Sequence, residues 1–284
     1  MRLSCCDYGF VACMQPAACT TLLMNSTPAS ILSTAAAYAS PAVSLFSVNS
    51  AYQSSTSKIL HLIRHAEGTH NLNEEQSKLP LHFDAKLTER GINQCNELAK
   101  RTKDLDVEAI IVSPLTRTLE TSILSFPHLY GDNSKKTATV PFIAYEEWRE
   151  TVNFLCDCRR PTSVLQQTYP HVCFQNILHN QDDPIWAHYE SVFGDHNAHR
   201  SKRESDDPTS LYNRAHSAWK VLLNRPEKNL ALVGHSAFFM HMFTPLFEEL
   251  NGVVKYEDAS VEKLMSSRFE NCELRSVKVD LPIG

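Results

Sequence analysis

Three short apolar runs, residues 59–63, 109–112 and 230–233, each end at a polar residue and give way to a helical spacing of apolar positions. Runs of that length predict buried strands, and strands alternating with helices predict a parallel sheet covered on both faces. Thr88 is placed to cap a helix in which Ile92, Cys95, Leu98 and Ala99 fall on one side. A second helix is predicted over residues 208–223, where Leu211, Ala215, Ala218 or Trp219 and Leu222 form an apolar stripe, and a third is expected to begin near Ser236. Residues 274–281 alternate apolar and polar positions as an edge strand does. The expected fold is therefore α/β, a three-layer αβα sandwich with a mainly parallel central sheet. Between about residues 145 and 207 the periodicity fades and Trp148, Trp186, Tyr189 and several histidines collect, the signature of a lid-like insertion.

Residues 1–57 follow neither rhythm. They are rich in Ser, Ala and Thr, are broken by Pro16, Pro28 and Pro41, and carry only Arg2 and Asp7 as charges. Such a stretch buries too little apolar surface to offset its ordering entropy, and a disordered extension is expected, with an organellar targeting peptide as its functional alternative. Residues 58–284 are read as one domain. With 43% hydrophobic and 21% charged residues the whole chain of 284 residues has the make-up of a water-soluble globular protein, and no apolar run reaches the roughly 18 residues of a spanning helix. No stable membrane insertion is expected, and the location is expected to be cytoplasmic, or organellar if the extension is a transit peptide. A formal charge of −5 argues against a nucleic-acid partner. Nine cysteines without paired C-x-x-C spacings predict free thiols and no structural zinc, and His171, His179, His188, His196 and His199 lack a compact ligand spacing.

The chemistry concentrates where the strands end. Arg64 and His65 follow the first run, Ser113-Pro114-Leu115-Thr116-Arg117 the second and Gly234-His235-Ser236 the third. Open α/β sheets place ligands outside the carboxyl ends of their strands, so these residues are expected to converge. Two arginine forks suit a phosphate dianion. His65 is the expected nucleophile, provided its other ring N–H is fixed by an acceptor such as a backbone carbonyl. His235, protonated by the dianion beside it, is expected to meet the charge that gathers on the transferring phosphoryl oxygens, together with the N–H groups of the helix that follows. The leaving alkoxide needs a proton, and Glu150 in Trp148-Arg149-Glu150 is the first candidate, Asp157 the reserve. Arg159 and Arg160 either bind a second anionic group of the substrate or form a solvated basic turn.

With Leu87-Thr88-x-x-Gly91-x-x-Gln94 between the first two clusters, the chain resembles the histidine phosphatase superfamily over roughly residues 58–250. Within it, Arg64-His65-Ala66-Glu67-Gly68-Thr69-His70-Asn71, Phe83-Asp84-Ala85-x-Leu87-Thr88 and Arg149-Glu150 with Cys156-Asp157-x-Arg159-Arg160 are similar to the phosphoglycerate mutase-like proteins of plants and fungi. The resemblance implies an α/β sandwich, a phosphohistidine intermediate and neither metal nor organic cofactor. It carries the phosphate pocket onto Arg64, His65, Arg117 and His235, and adds Asn71. The expected activity is hydrolysis of a phosphomonoester, the partner being a small phosphorylated metabolite or another phosphomonoester. A phosphoglycerate-type mutase and a non-catalytic binder of phosphorylated ligands are the alternatives. Ala66, Gly68, His70 and Ser236-Ala237 depart from the mutase pattern.

Overall fold

The alternation of apolar runs and helical stripes resolves, in a computed structural model, into a six-stranded sheet. Residues 55–73, 79–130, 138–197, 201–243 and 259–282 are described. The expectation for the amino-terminal extension lies outside them, except that the first strand, β1, already runs over Ser55–Arg64. The remaining strands are β2 (Ala109–Val112), β3 (Phe142–Ala144), β4 (Val172–Cys173), β5 (Asn229–Gly234) and β6 (Leu274–Pro282). Their order across the sheet is β4-β3-β2-β5-β1-β6. The first five pair in parallel and β6 runs antiparallel to β1 at the edge, where the alternating pattern of residues 274–281 placed it.

Eight helices accompany the strands among the described residues: α1 (Glu89–Thr102), α2 (Thr116–Ser125), α3 (Pro127–Tyr130), α4 (Thr162–Thr168), α5 (Pro184–Phe193), α6 (Pro208–Asn224), α7 (Ser236–Phe243) and α8 (Ala259–Ser266). Successive strand side chains point to opposite faces, so each buried strand feeds two cores. Leu60, Leu62, Ala109, Ile111, Leu230 and Leu232 pack with α6, α7 and α8 on one face. Ile63, Ile110, Val112, Ala231 and Val233 pack with α1, α2 and α4 on the other. These are the three layers expected.

In α1 the buried side is Gly91, Cys95, Leu98 and Thr102. Ile92, expected inside, is 42% exposed because Gly91 takes the close position. The insertion after β3 is less formless than its sequence. It lends β4 to the sheet edge and packs a small core of its own from Val152, Leu155, Cys158, Trp186 and Tyr189. No helix among the described residues is long and apolar enough to cross a membrane.

Candidate active site

Because β1 and β5 are parallel neighbours with Arg64 opposite Gly234, the residue following each strand arrives at the same rim of the sheet. The rings of His65 and His235 stand there with centroids 5.1 Å apart. His65 is 1% exposed and His235 wholly buried. Strand β2 delivers Ser113, whose Oγ lies 2.9 Å from Nε2 of His235. The first turn of α2 adds Arg117, also wholly buried.

The first histidine is fixed by its own chain. Its Nδ1 lies 2.7 Å from the carbonyl oxygen of Ala66. A carbonyl only accepts, so Nδ1 carries the proton and Nε2 keeps its lone pair. Burial, reinforced by Arg117, His70 and Arg64, holds the His65 pKa well below the usual imidazole range, so the neutral form is the one present. Burial and then Arg117 do the same to His235, whose Nδ1 has no partner.

The loop that presents His65 is clamped to α1 and α2. Ala66 N–H donates to Thr121 Oγ1 (3.0 Å), and that hydroxyl donates to the carbonyl of Arg117 (2.7 Å). Glu67 N–H donates to Gln94 Oε1 (2.8 Å), while the Glu67 carbonyl accepts from Thr88 N–H (2.9 Å). Thr88 Oγ1 accepts in turn from Gly91 N–H at 3.0 Å, capping the helix. A Cβ at Gly91 would stand 2.2 Å from the Glu67 carbonyl oxygen. The Thr88, Gly91 and Gln94 spacing is thus a seat for the histidine loop.

Both arginines are held from behind. Arg117 donates through Nη2 to Asp157 Oδ1 (3.1 Å) and through Nη1 to the Cys156 carbonyl, and its Nε is unpartnered. Arg64 donates through Nη1 to the Phe269 carbonyl (2.7 Å), again with Nε unpartnered. Glu150, partly buried, accepts at Oε1 from the N–H groups of Thr151 (2.9 Å) and Phe238 (3.2 Å). No described residue donates to Oε2, which is the atom left to carry a proton. Burial and the nearby Asp157 carboxylate raise the Glu150 pKa, opposed by Arg117 and Arg64. The Phe238 bond also means that one N–H of the first turn of α7, expected to face the phosphate, is taken by Glu150.

Three expectations sort differently. The Asp157 carboxylate is consumed by Arg117 at Oδ1 and by the N–H groups of Asn153 and Phe154 at Oδ2, so it is a brace. Arg159 is neither an anion binder nor a solvated turn. It is buried, and its five N–H groups go to Glu146 Oε1 and to the carbonyls of Arg160, Gln181, Asn180 and Asp182, at 2.7–3.0 Å. Arg160 pairs with the buried Asp84 (3.1 Å), which also accepts from the N–H and hydroxyl of Thr116 at the start of α2. Asn71, which the resemblance carries into the phosphate pocket, is exposed, and its amide bonds to Gly68 and His70.

One neighbour escaped the sequence reading. The ring of His70 lies 5.4 Å from that of His65, and burial followed by Arg117 and Arg64 takes its pKa down to about 2. No group of three or more metal-ligating side chains occurs among the described residues.

The chain is similar to several known proteins. The sequence pattern of the histidine phosphatase superfamily (branch 1) matches residues 60–130, the stretch that contributes Arg64, His65 and Arg117. Phosphoglycerate mutase-like protein 1 of Arabidopsis thaliana is 29% identical over 250 residues, covering 78% of this chain and 81% of its own. A "probable phosphatase" of Schizosaccharomyces pombe is 23% identical over 180 residues, covering 63% of this chain and 74% of its own. Among solved structures, an ecdysone phosphate phosphatase from Bombix mori in complex with tungstate aligns at a TM-score of 0.46 and 14% identity, over 77% of this chain and 88% of that one. Over residues 60–130 the chain is therefore similar to the histidine phosphatase superfamily, and over most of its length to phosphoglycerate mutase-like proteins.

Proposed function

We propose that this protein hydrolyses a phosphomonoester in two steps through a phosphohistidine on His65. The observation that carries the reading is the tautomer of His65: Nδ1–H is spent on the Ala66 carbonyl, and Nε2 keeps its lone pair among two guanidiniums and a second imidazole. In the first step the Nε2 lone pair attacks phosphorus and the ester P–O bond breaks. The leaving oxygen takes the proton of Glu150 as it departs. In the second, water attacks the phosphohistidine and gives its proton to the Glu150 carboxylate. The P–N bond then breaks and its electron pair returns to Nε2, releasing inorganic phosphate. Arg64, Arg117 and His235 stabilise the phosphoryl oxygens throughout, His235 becoming protonated when the dianion arrives. Asn71 serves the site at its margin. The raised pKa of Glu150 suits an acid that must hold its proton near neutrality. No cofactor enters the sequence of steps.

The relatives' printed names, mutase-like and phosphatase, support a phosphoryl-transfer role, and the replacement of the mutase pattern at Ala66, Gly68 and Ser236 favours water as acceptor. The location that accompanies this reading is cytoplasmic, or organellar if residues 1–57 are removed as a transit peptide. The substrate is a small phosphorylated metabolite or another phosphomonoester.

The test is turnover of an aryl phosphate with trapping of an acid-labile phosphoenzyme. His65→Ala is expected to abolish both signals. Glu150→Gln is expected to lower kcat by roughly a hundredfold or more on alkyl esters, and much less on an aryl ester whose alkoxide needs no proton. Wild-type turnover in His65→Ala, or isomerisation of a phosphoglycerate without phosphate release, would overturn the reading.

A further inference from the structure

A buried polar atom near His65 that the two-step reaction leaves without work is Nδ1 of His70. The amide of Asn71 fixes which ring nitrogen of His70 holds a proton. Gly68 N–H donates to Asn71 Oδ1 at 3.0 Å, which assigns the oxygen end of the amide. The NH2 end therefore faces His70 Nε2, at 3.1 Å. An amide NH2 only donates, so Nε2 accepts, and a neutral ring must carry its hydrogen on Nδ1.

That Nδ1 is buried and has no hydrogen-bond partner in the protein. A buried donor left empty is costly, and native proteins satisfy nearly all of theirs. Its surroundings are those of an anion site. Arg117 and Arg64 lie close enough to His70 to affect its protonation, and His70 in turn bears on both His65 and His235. The ring sits this close to the histidine loop because residue 68 has no side chain: a Cβ there would lie 2.7 Å from Nδ1 and 2.8 Å from Cε1.

We propose that His70 is a phosphate-contacting residue of this site, giving its Nδ1–H to an oxygen of the bound phosphoryl group, while Asn71 acts from behind as the positioning residue that sets the tautomer. This rests on the reading of the pocket as a phosphoryl site and deepens it. A neutral donor adds a hydrogen bond to the dianion without placing a further cation beside two arginines. It also accounts for the exposed position of Asn71, whose contribution to phosphate binding passes through the neighbouring ring.

Binding of inorganic phosphate to the full chain by calorimetry, with aryl phosphate turnover measured in parallel, tests the proposal. His70→Phe is expected to weaken phosphate binding and raise KM by about tenfold, the worth of one hydrogen bond to a charged acceptor, with a smaller change in kcat. His70→Gln, which restores an N–H, is expected to recover part of the loss, and Asn71→Ala to fall between. Ring-nitrogen NMR of the wild type, which needs no variant to fold, is expected to show Nδ1 protonated in His70 and its signal displaced by phosphate. Phosphate affinity unchanged in His70→Phe, or the proton on Nε2, overturns the assignment even if the enzyme hydrolyses esters. A wild type that binds phosphate through His70 but turns nothing over leaves the assignment standing and removes the proposed reaction. A wild type that binds no phosphate overturns both.

Discussion

Gly91 shows how far a histidine's aim can depend on a residue with no chemistry of its own. Two effects of Gly91→Ala oppose each other. Helix propensity favours alanine by about 1 kcal/mol, whereas its Cβ would meet the Glu67 carbonyl oxygen at 2.2 Å, and forced overpacking costs about 1–3 kcal/mol. The obstacle is backbone, not the end of a flexible side chain, so the clash should win. A lower melting temperature and a loss of kcat/KM are expected, because the displaced loop carries His65; a more stable, fully active variant would show that the loop yields freely. Ser113→Ala removes the partner of His235 Nε2 and is expected to lower kcat by about tenfold with little change in folding. At this scale the sequence is most legible where polar residues terminate apolar runs, which is how Arg64, His65, Arg117 and His235 are found. His70 sits in a polar turn with no periodicity to flag it, and only the fold shows its ring beside His65. The motif that points to Asn71 does not say which way its amide faces; here it turns to Gly68 and His70.

Elements held by apolar stripes were predictable and elements held by buried charge were not. Helix α6 emerges over Pro208–Asn224 with Leu211, Ala215, Ala218, Trp219 and Leu222 inside, close to its expected span. The insertion between β3 and α6 is tied instead by Arg149 to Asp183, Arg159 to Glu146 and Arg214 to Glu204. Charged residues scattered through a sequence look like surface, and nothing local reveals that each finds its counter-ion across the chain. Strand β4, two residues long, is below the length at which an alternating pattern exists. Arg159→Met is expected to destabilise the protein by about 3–5 kcal/mol, since it leaves Glu146 Oε1 and several carbonyls without their donor. In the fraction that folds, KM for a small phosphate ester should stay within about twofold of wild type. Chemical denaturation and kinetics read the two halves separately, and a large KM rise in a stable Arg159→Met protein would restore the anion-binding role.

For the molecule as a whole, gathering imidazoles beside two arginines has a consequence for acid stability. His65, His70 and His235 all have pKa values pushed below the ordinary range, chiefly by burial. A depressed folded-state pKa contributes stability that is fully present above the unfolded value of about 6.5 and is lost as pH falls toward the folded one. Each such ring can remove up to about 1.4 kcal/mol per pH unit below that point. Melting temperatures of the ligand-free protein are expected to drop steeply from neutrality toward pH 5. Phosphate should flatten the decline by binding the folded state and giving His235 an anion to protonate against; an equal slope with and without it would argue that other groups control acid unfolding. The overall architecture was legible because β and α alternate along the chain. What the chain order did not reveal is how much of the site is completed from the segment before β6. Phe269 accepts from Arg64, Asn271 Nδ2 donates to the His65 carbonyl and Phe269 N–H donates to Ser236 Oγ. Asn271 lies 206 residues beyond His65. During synthesis His65 would leave the ribosome long before the pieces that hold it, and a message cut short after the codon for Ser267 is expected to yield a chain without the proposed hydrolysis. The seat of the His65 loop is thus finished only once residues 269–271 have been added.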